Sequence, residues 1–203
     1  AVDRKQLFLE RFLHQGIALV IYPDEINKLI GSDDSGLDAF TVQNKETDEL
    51  TVVFVGSEQL VEDWIATNPK LLSSTEPAQL KDAKAYFDDV NKTYGKVSHV
   101  TGNSLAGAST NAVGIENPDV KAVTLNPPLL PEGSVDPHQS YPNITNYYSR
   151  YDALTRTQHA LAFDHRIPGE KHIINHGIPT FSLIGPNHTG YVTPDEQGRF
   201  RVP

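Results

Sequence analysis

The run Gly102-Asn103-Ser104-Leu105-Ala106-Gly107 has the residue types and spacing of a presented nucleophile. A short β-branched stretch, Val97 to Thr101, leads into it, and small, helix-compatible residues follow. A serine at such a sharp strand-to-helix turn is held in a strained conformation with its hydroxyl projecting outward. The first N–H groups of the following helix then point at whatever the serine attacks. Gly102 permits strand and helix to approach closely, and Ala106 and Gly107 keep the first helical turn thin. The chemistry is acyl transfer: a neutral imidazole removes the hydroxyl proton as the oxygen attacks an ester carbonyl. The competing reading of Ser104 is a helix N-cap.

Such a turn predicts an acid and then a histidine further along the chain. Three downstream segments read as strands. Val120 to Leu125 ends at Asn126-Pro127-Pro128, and Ile144 to Tyr148 is followed by Asp152. Thr180 to Ile184 ends in Gly185-Pro186-Asn187-His188. Serine, aspartate and histidine thus each lie just past a strand's carboxyl end, the edge where open α/β sheets bind ligands. Asp152 would hold the imidazole tautomer, and His188 would act as the base. Asp136 precedes the relevant strand, and Asp164 lies far beyond it. His172 and His176 precede Thr180 to Ile184 and are expected at the opposite sheet edge. His99, inside the strand before Ser104, reads as a core histidine.

Upstream, Leu50 to Val55 is a strand followed by Gly56-Ser57 and then Asp63-Trp64. The pairing of Val-Val-Phe-Val-Gly-Ser and Asp63-Trp64 with Thr-Gly-Asn-Ser-Leu-Ala-Gly-Ala resembles the class 3 lipases among the α/β-hydrolases. The resemblance covers roughly residues 40 to 190. It implies Ser104 as nucleophile, Asp152 as acid, His188 as base, and the N–H groups of Ser57 and Leu105 as the oxyanion hole. Val55 stands where that family has arginine, Ser57 where it has threonine, Asn103 where it has histidine, and Ala106 where it has glycine. It also implies a carboxylic ester hydrolase acting on lipid acyl esters, a phospholipase or lipase. Lipase domains of secreted antibacterial toxins look similar as well. The alternatives are an esterase or thioesterase on small soluble substrates, or an inactive hydrolase-like module that binds protein.

The elements needed to position these groups are legible. Ala39–Gln43 and Glu49–Val55 read as a hairpin through residues 44–48. Ala78 to Tyr94 reads as a helix, with Pro77 at its start and Gly95 at its end. Leu7, Phe8, Phe12 and Leu13 give residues 3–15 one apolar helical face. Residues 155–172 read as a helix or an excursion over the sheet, and Gly190 to Val202 as a short hairpin. The expected architecture is a mostly parallel sheet flanked by helices, with a small or absent lid. Leu71-Leu72 and Leu129-Leu130 fall in irregular segments that either form an acyl groove or pin loops to the core.

The 203 residues make one domain of the α/β class, taken as residues 1–203. The start at Ala1 and the end at Val202-Pro203 fit a piece of a longer chain, for instance a toxin domain held by an immunity or carrier protein. A net charge of −9 argues against nucleic acid and against strong attraction to anionic membranes. The absence of cysteine excludes disulfides and thiol chemistry and suits a secreted bacterial protein. No stretch approaches the roughly 20 apolar residues of a membrane span. No metal-ligand spacing is present, and the triad needs no cofactor.

Overall fold

A computed structural model describes residues 20–21, 37–44, 46–55, 77–150, 152 and 164–174. They form one seven-stranded sheet in which sequence neighbours are also spatial neighbours. The strands are β1 (Val20–Ile21), β2 (Asp38–Gln43), β3 (Leu50–Val55), β4 (Val97–Asn103), β5 (Lys121–Leu125), β6 (Ile144–Ser149) and β7 (Glu170–Ile174). The first three pair antiparallel, and every pairing from β3 to β7 is parallel. No helix among the described residues is long and apolar enough to cross a membrane.

The β2–β3 hairpin closes where predicted. Asn44 accepts the Glu46 and Thr47 N–H groups on its side-chain oxygen at 2.8 and 3.3 Å. Asp48 then takes a positive φ of 58°, which an aspartate tolerates in a turn. Helix α1 (Ala78–Tyr94) buries Leu80, Ala83, Phe87 and Val90, one residue every three or four. Gly95 ends it at φ 106°. Helix α2 (Leu105–Glu116) follows β4 directly, and its residues from Leu105 to Gly114 are all buried.

Both helices pack against one face of the sheet. Tyr86, Phe87 and Val90 of α1 and Ala106 and Val113 of α2 share a core with Val52, Phe54, Val100, Ala122 and Ile144. A polar network crosses this core. Thr124 Oγ1 and Asn111 Nδ2 donate to Asn146 Oδ1 at 2.6 and 2.9 Å. Asn146 Nδ2 donates to the Pro168 carbonyl at 2.6 Å. Asn146 thereby ties α2, β5 and the turn before β7 to the middle of β6.

Tyr86 is 1% exposed, and its hydroxyl meets Thr41 Oγ1 at 3.1 Å. Burial pushes its pKa up to about 12, against the opposing pull of the Thr41 hydrogen bond. The neutral phenol is therefore the form the fold prefers. Its contribution is intact below the unfolded value of 10 and is lost as pH rises through about 12. Wild type should lose about 2 kcal/mol across that window through this residue. Tyr86→Phe should cost about 1 kcal/mol at neutral pH, through the lost hydrogen bond, but should lack this alkaline loss. Urea unfolding of both proteins at pH 8 and pH 11 checks it. Equal losses in the two proteins would refute the assignment.

Two expectations need correction. Of residues 155–172, expected as a helix or an excursion, 155–163 lie outside the described residues, and at the far end β7 begins at Glu170 and extends the sheet beyond β6. A one-turn 3-10 helix, Asp164–Arg166, precedes it. Glu170, Lys171, His172 and Ile173 are all exposed, so no apolar alternation betrays the strand. His99 was expected in the core and is only half-buried. The β3–β4 register shifts between Leu50 and Thr51, which pair with Val97 and His99. The extra residue, Ser98, breaks the alternation and takes His99 off the face of Val97.

Candidate active site

Ser104 links the end of β4 to the start of α2 with φ 55° and ψ −129°. Non-glycine residues rarely occupy this region, and holding one there costs about 1–3 kcal/mol. The surroundings enforce it. The Ser104 N–H donates to the Leu125 carbonyl on β5 at 2.9 Å, and the Gly107 N–H donates to the Ser104 carbonyl at 2.7 Å. The serine is therefore clamped from the neighbouring strand on one side and from the first helical turn on the other. Leu105 opens α2, so its N–H is among those a helix start leaves without an intrahelical partner.

The two flanking glycines make the turn sterically possible. A Cβ on Gly102 would lie 2.5 Å from the Ala106 carbonyl oxygen and 2.6 Å from Thr110 Oγ1. A Cβ on Gly107 would lie 2.7 Å from Pro127 Cβ. Strand, helix and the chain leaving β5 meet here at backbone contact. Gly102→Ala should therefore destabilise the protein by about 3 kcal/mol. For a chain of this size that lowers Tm by roughly 6–12 °C, readable by calorimetry. An unchanged Tm would show that helix and strand can part at this point.

Asp152 follows the end of β6 by three residues and is 1% exposed. Its N–H donates to the Ser149 carbonyl at 3.0 Å, closing a turn at the strand end. Because β4, β5 and β6 are parallel and in register at Asn103, Leu125 and Tyr147, Ser104 and Asp152 share one sheet edge. Their strands are two positions apart, roughly 10 Å at ordinary strand spacing. An imidazole hydrogen-bonded to a hydroxyl on one side and a carboxylate on the other spans about that distance.

The alternatives for the acid sit elsewhere. Asp136 is exposed and caps a turn by accepting the His138 N–H at 2.9 Å. Asp164 begins the 3-10 turn before β7. His172 was expected at the opposite edge; it lies instead within β7, two residues from that strand's carboxyl end. Its exposed ring stacks on Tyr147 with centroids 5.4 Å apart and meets Glu170 Oε2 at 3.3 Å. Ser57, Asp63, Trp64, Leu71, Leu72, His176 and His188 lie outside the described residues, as do the expected strand at 180–184, the helix at 3–15 and the hairpin at 190–202.

Leu129 and Leu130 pin their loop. Leu129 packs with Tyr148 and Ile167, and Leu130 with Leu80, Ala108 and Ala112. Arg166, 4% exposed, clamps the same loop by donating from Nε to the Leu130 carbonyl at 2.7 Å, while the Leu130 N–H donates back to the Arg166 carbonyl at 3.2 Å. Burial lowers the Arg166 pKa, partly offset by Glu132. A cavity of about 330 Å³ lies at the other end of the strands, between Asn91, Lys96, Glu116 and Asp119, and is separate from the Ser104 edge.

No protein-family model matches the chain, and no curated protein matches it. Among solved structures, the native propeptide complex of Rhizomucor miehei lipase superposes with a TM-score of 0.51. It is 19% identical, over 71% of this chain and 54% of that one. The fold is that of the α/β-hydrolases. A deletion mutant of the same lipase gives a TM-score of 0.50 at 19% identity, over 70% of this chain and 52% of its own. The chain thus spans about half the length of these lipase chains. Within the fold, Ser104 lies between β4, a central parallel strand, and the helix that follows.

Proposed function

We propose that the protein is a serine hydrolase that cleaves acyl esters of lipids through an acyl-enzyme. The observation that carries this reading is the backbone of Ser104. A positive-φ serine between β4 and α2 is costly, and it is held there by hydrogen bonds from both β5 and the first turn of α2. Its use is to project the hydroxyl away from both elements.

In this mechanism His188 takes the Ser104 proton as Oγ attacks the ester carbonyl. The oxyanion is held by the N–H groups of Leu105 and Ser57, each worth about 3 kcal/mol of barrier. Asp152 orients the imidazole and stabilises the imidazolium. His188 then protonates the departing alcohol, and water releases the fatty acid by the same steps in reverse order. The resemblance to class 3 lipases and the likeness in fold to Rhizomucor miehei lipase support a lipid substrate, with phospholipid first. The net charge of −9 favours zwitterionic or neutral lipid over anionic bilayers.

The test is labelling with a fluorophosphonate probe, with the adduct located by mass spectrometry. Modification of Ser104, lost in Ser104→Ala and in His188→Ala, is the expected result. Hydrolysis of phosphatidylcholine, lysophosphatidylcholine and triolein emulsions then ranks the substrates. A folded protein that takes no label would favour the protein-binding module instead.

A further inference from the structure

The geometry points to Asn126 as a positioning residue that sets Asp152 against Ser104; the inference rests on the triad proposed above. Asn126 is fully buried at the end of β5, directly after Leu125, whose carbonyl holds the Ser104 N–H. Its own N–H donates to the Tyr147 carbonyl of β6 at 2.8 Å. In a regular parallel ladder the Asn126 main-chain carbonyl would next accept the Ser149 N–H. At φ 46° the chain instead turns off toward Pro127. The side chain takes over: Asn126 Oδ1 accepts the Ser149 N–H at 2.7 Å. The Ser149 carbonyl in turn accepts the Asp152 N–H at 3.0 Å.

One residue therefore does two things that few side chains combine. It adopts a left-handed backbone, which asparagine tolerates better than other non-glycine residues. It also supplies an oxygen where the backbone has withdrawn one. The result is a chain of hydrogen bonds from Ser104 through Leu125 and Asn126 to Ser149 and Asp152, across three strands at the edge where the reaction is placed. Glycine would keep the backbone and lose the oxygen. Aspartate would keep both.

The experiment measures hydrolysis of p-nitrophenyl butyrate by wild type, Asn126→Gly, Asn126→Asp, Asp152→Ala and the Asn126→Gly/Asp152→Ala double variant. Asn126→Gly should lose about tenfold in kcat with KM changed less than twofold, as expected for a misplaced group. Asn126→Asp should restore kcat to within about threefold of wild type, since it keeps the acceptor. In the Asp152→Ala background Asn126→Gly should add nothing, because the residue acts through Asp152. A tenfold loss that persists in that background would overturn the inference, as would an unchanged kcat. Collapse of Asn126→Gly by circular dichroism would also overturn it, assigning Asn126 to the fold instead. If wild type takes no fluorophosphonate label at Ser104, the triad reading itself fails. If wild type and Asn126→Gly label equally fast at Ser104, only the positioning role fails.

Discussion

Ser104→Ala should reduce ester hydrolysis by about 10⁶-fold while leaving the fold intact. That corresponds to about 8 kcal/mol of transition-state stabilisation, at roughly 1.4 kcal/mol per tenfold. The residual rate would come from the oxyanion donors and substrate binding, which do not need the hydroxyl. A second variant separates chemistry from strain. Ser104→Gly should be equally inactive, yet more stable than wild type by about 1 kcal/mol, because glycine adopts φ 55° and ψ −129° without penalty. Hydrolysis of a short p-nitrophenyl ester and urea unfolding read the two effects. Ser104→Ala retaining more than a hundredth of the wild-type rate would remove Ser104 from the reaction. Ser104→Gly being less stable than wild type would remove the strain argument.

Asp152→Asn should lower kcat by about 10⁴-fold with little change in KM. The amide nearly matches the carboxylate in shape, so the buried turn at the end of β6 should survive. What changes is the partner offered to the imidazole. A carboxylate accepts the Nδ1 proton and stabilises the charge that forms on the ring. An amide can present N–H instead and favour the wrong tautomer, leaving the other ring nitrogen unable to take a proton. Unfolding curves should superpose within about 1 kcal/mol, the scale of one neutral hydrogen bond. A loss under tenfold would move the acid role away from Asp152 and reopen the choice of aspartate.

The elements around the site were legible because local and long-range requirements agree there. Leu50 to Val55 forms the expected strand with Leu50, Val52 and Phe54 buried, whereas Val120 to Leu125, expected as a buried strand, forms from Lys121 with only Ala122 and Thr124 buried and Val123 exposed. Helix α1 shows its apolar spacing and both of its boundaries. The strand-turn-helix around Ser104 is dictated by two glycines whose steric role the structure makes explicit. β7 was not legible, since charged residues such as Glu170 and Lys171 suit a strand whose side chains stay in water. The displaced His99 followed from one extra residue in β4, invisible without the register against β3. Asn126 read only as the end of a strand before two prolines. Its significance depends on a backbone rotation and on a partner 23 positions away.

The consecutive strand order has a consequence for when the proposed activity would emerge during folding. From β2 to β7 each strand docks beside the one made just before it, and no later segment inserts between two already joined. Assembly can therefore proceed by accretion from the hairpin outward, each step joining strands consecutive in the chain. Ser104 is in place once β4, α2 and β5 have met, but Asp152 arrives only with β6. During refolding, a nucleophile with the right backbone should exist before it can turn over substrate, and catalysis should lag behind secondary structure.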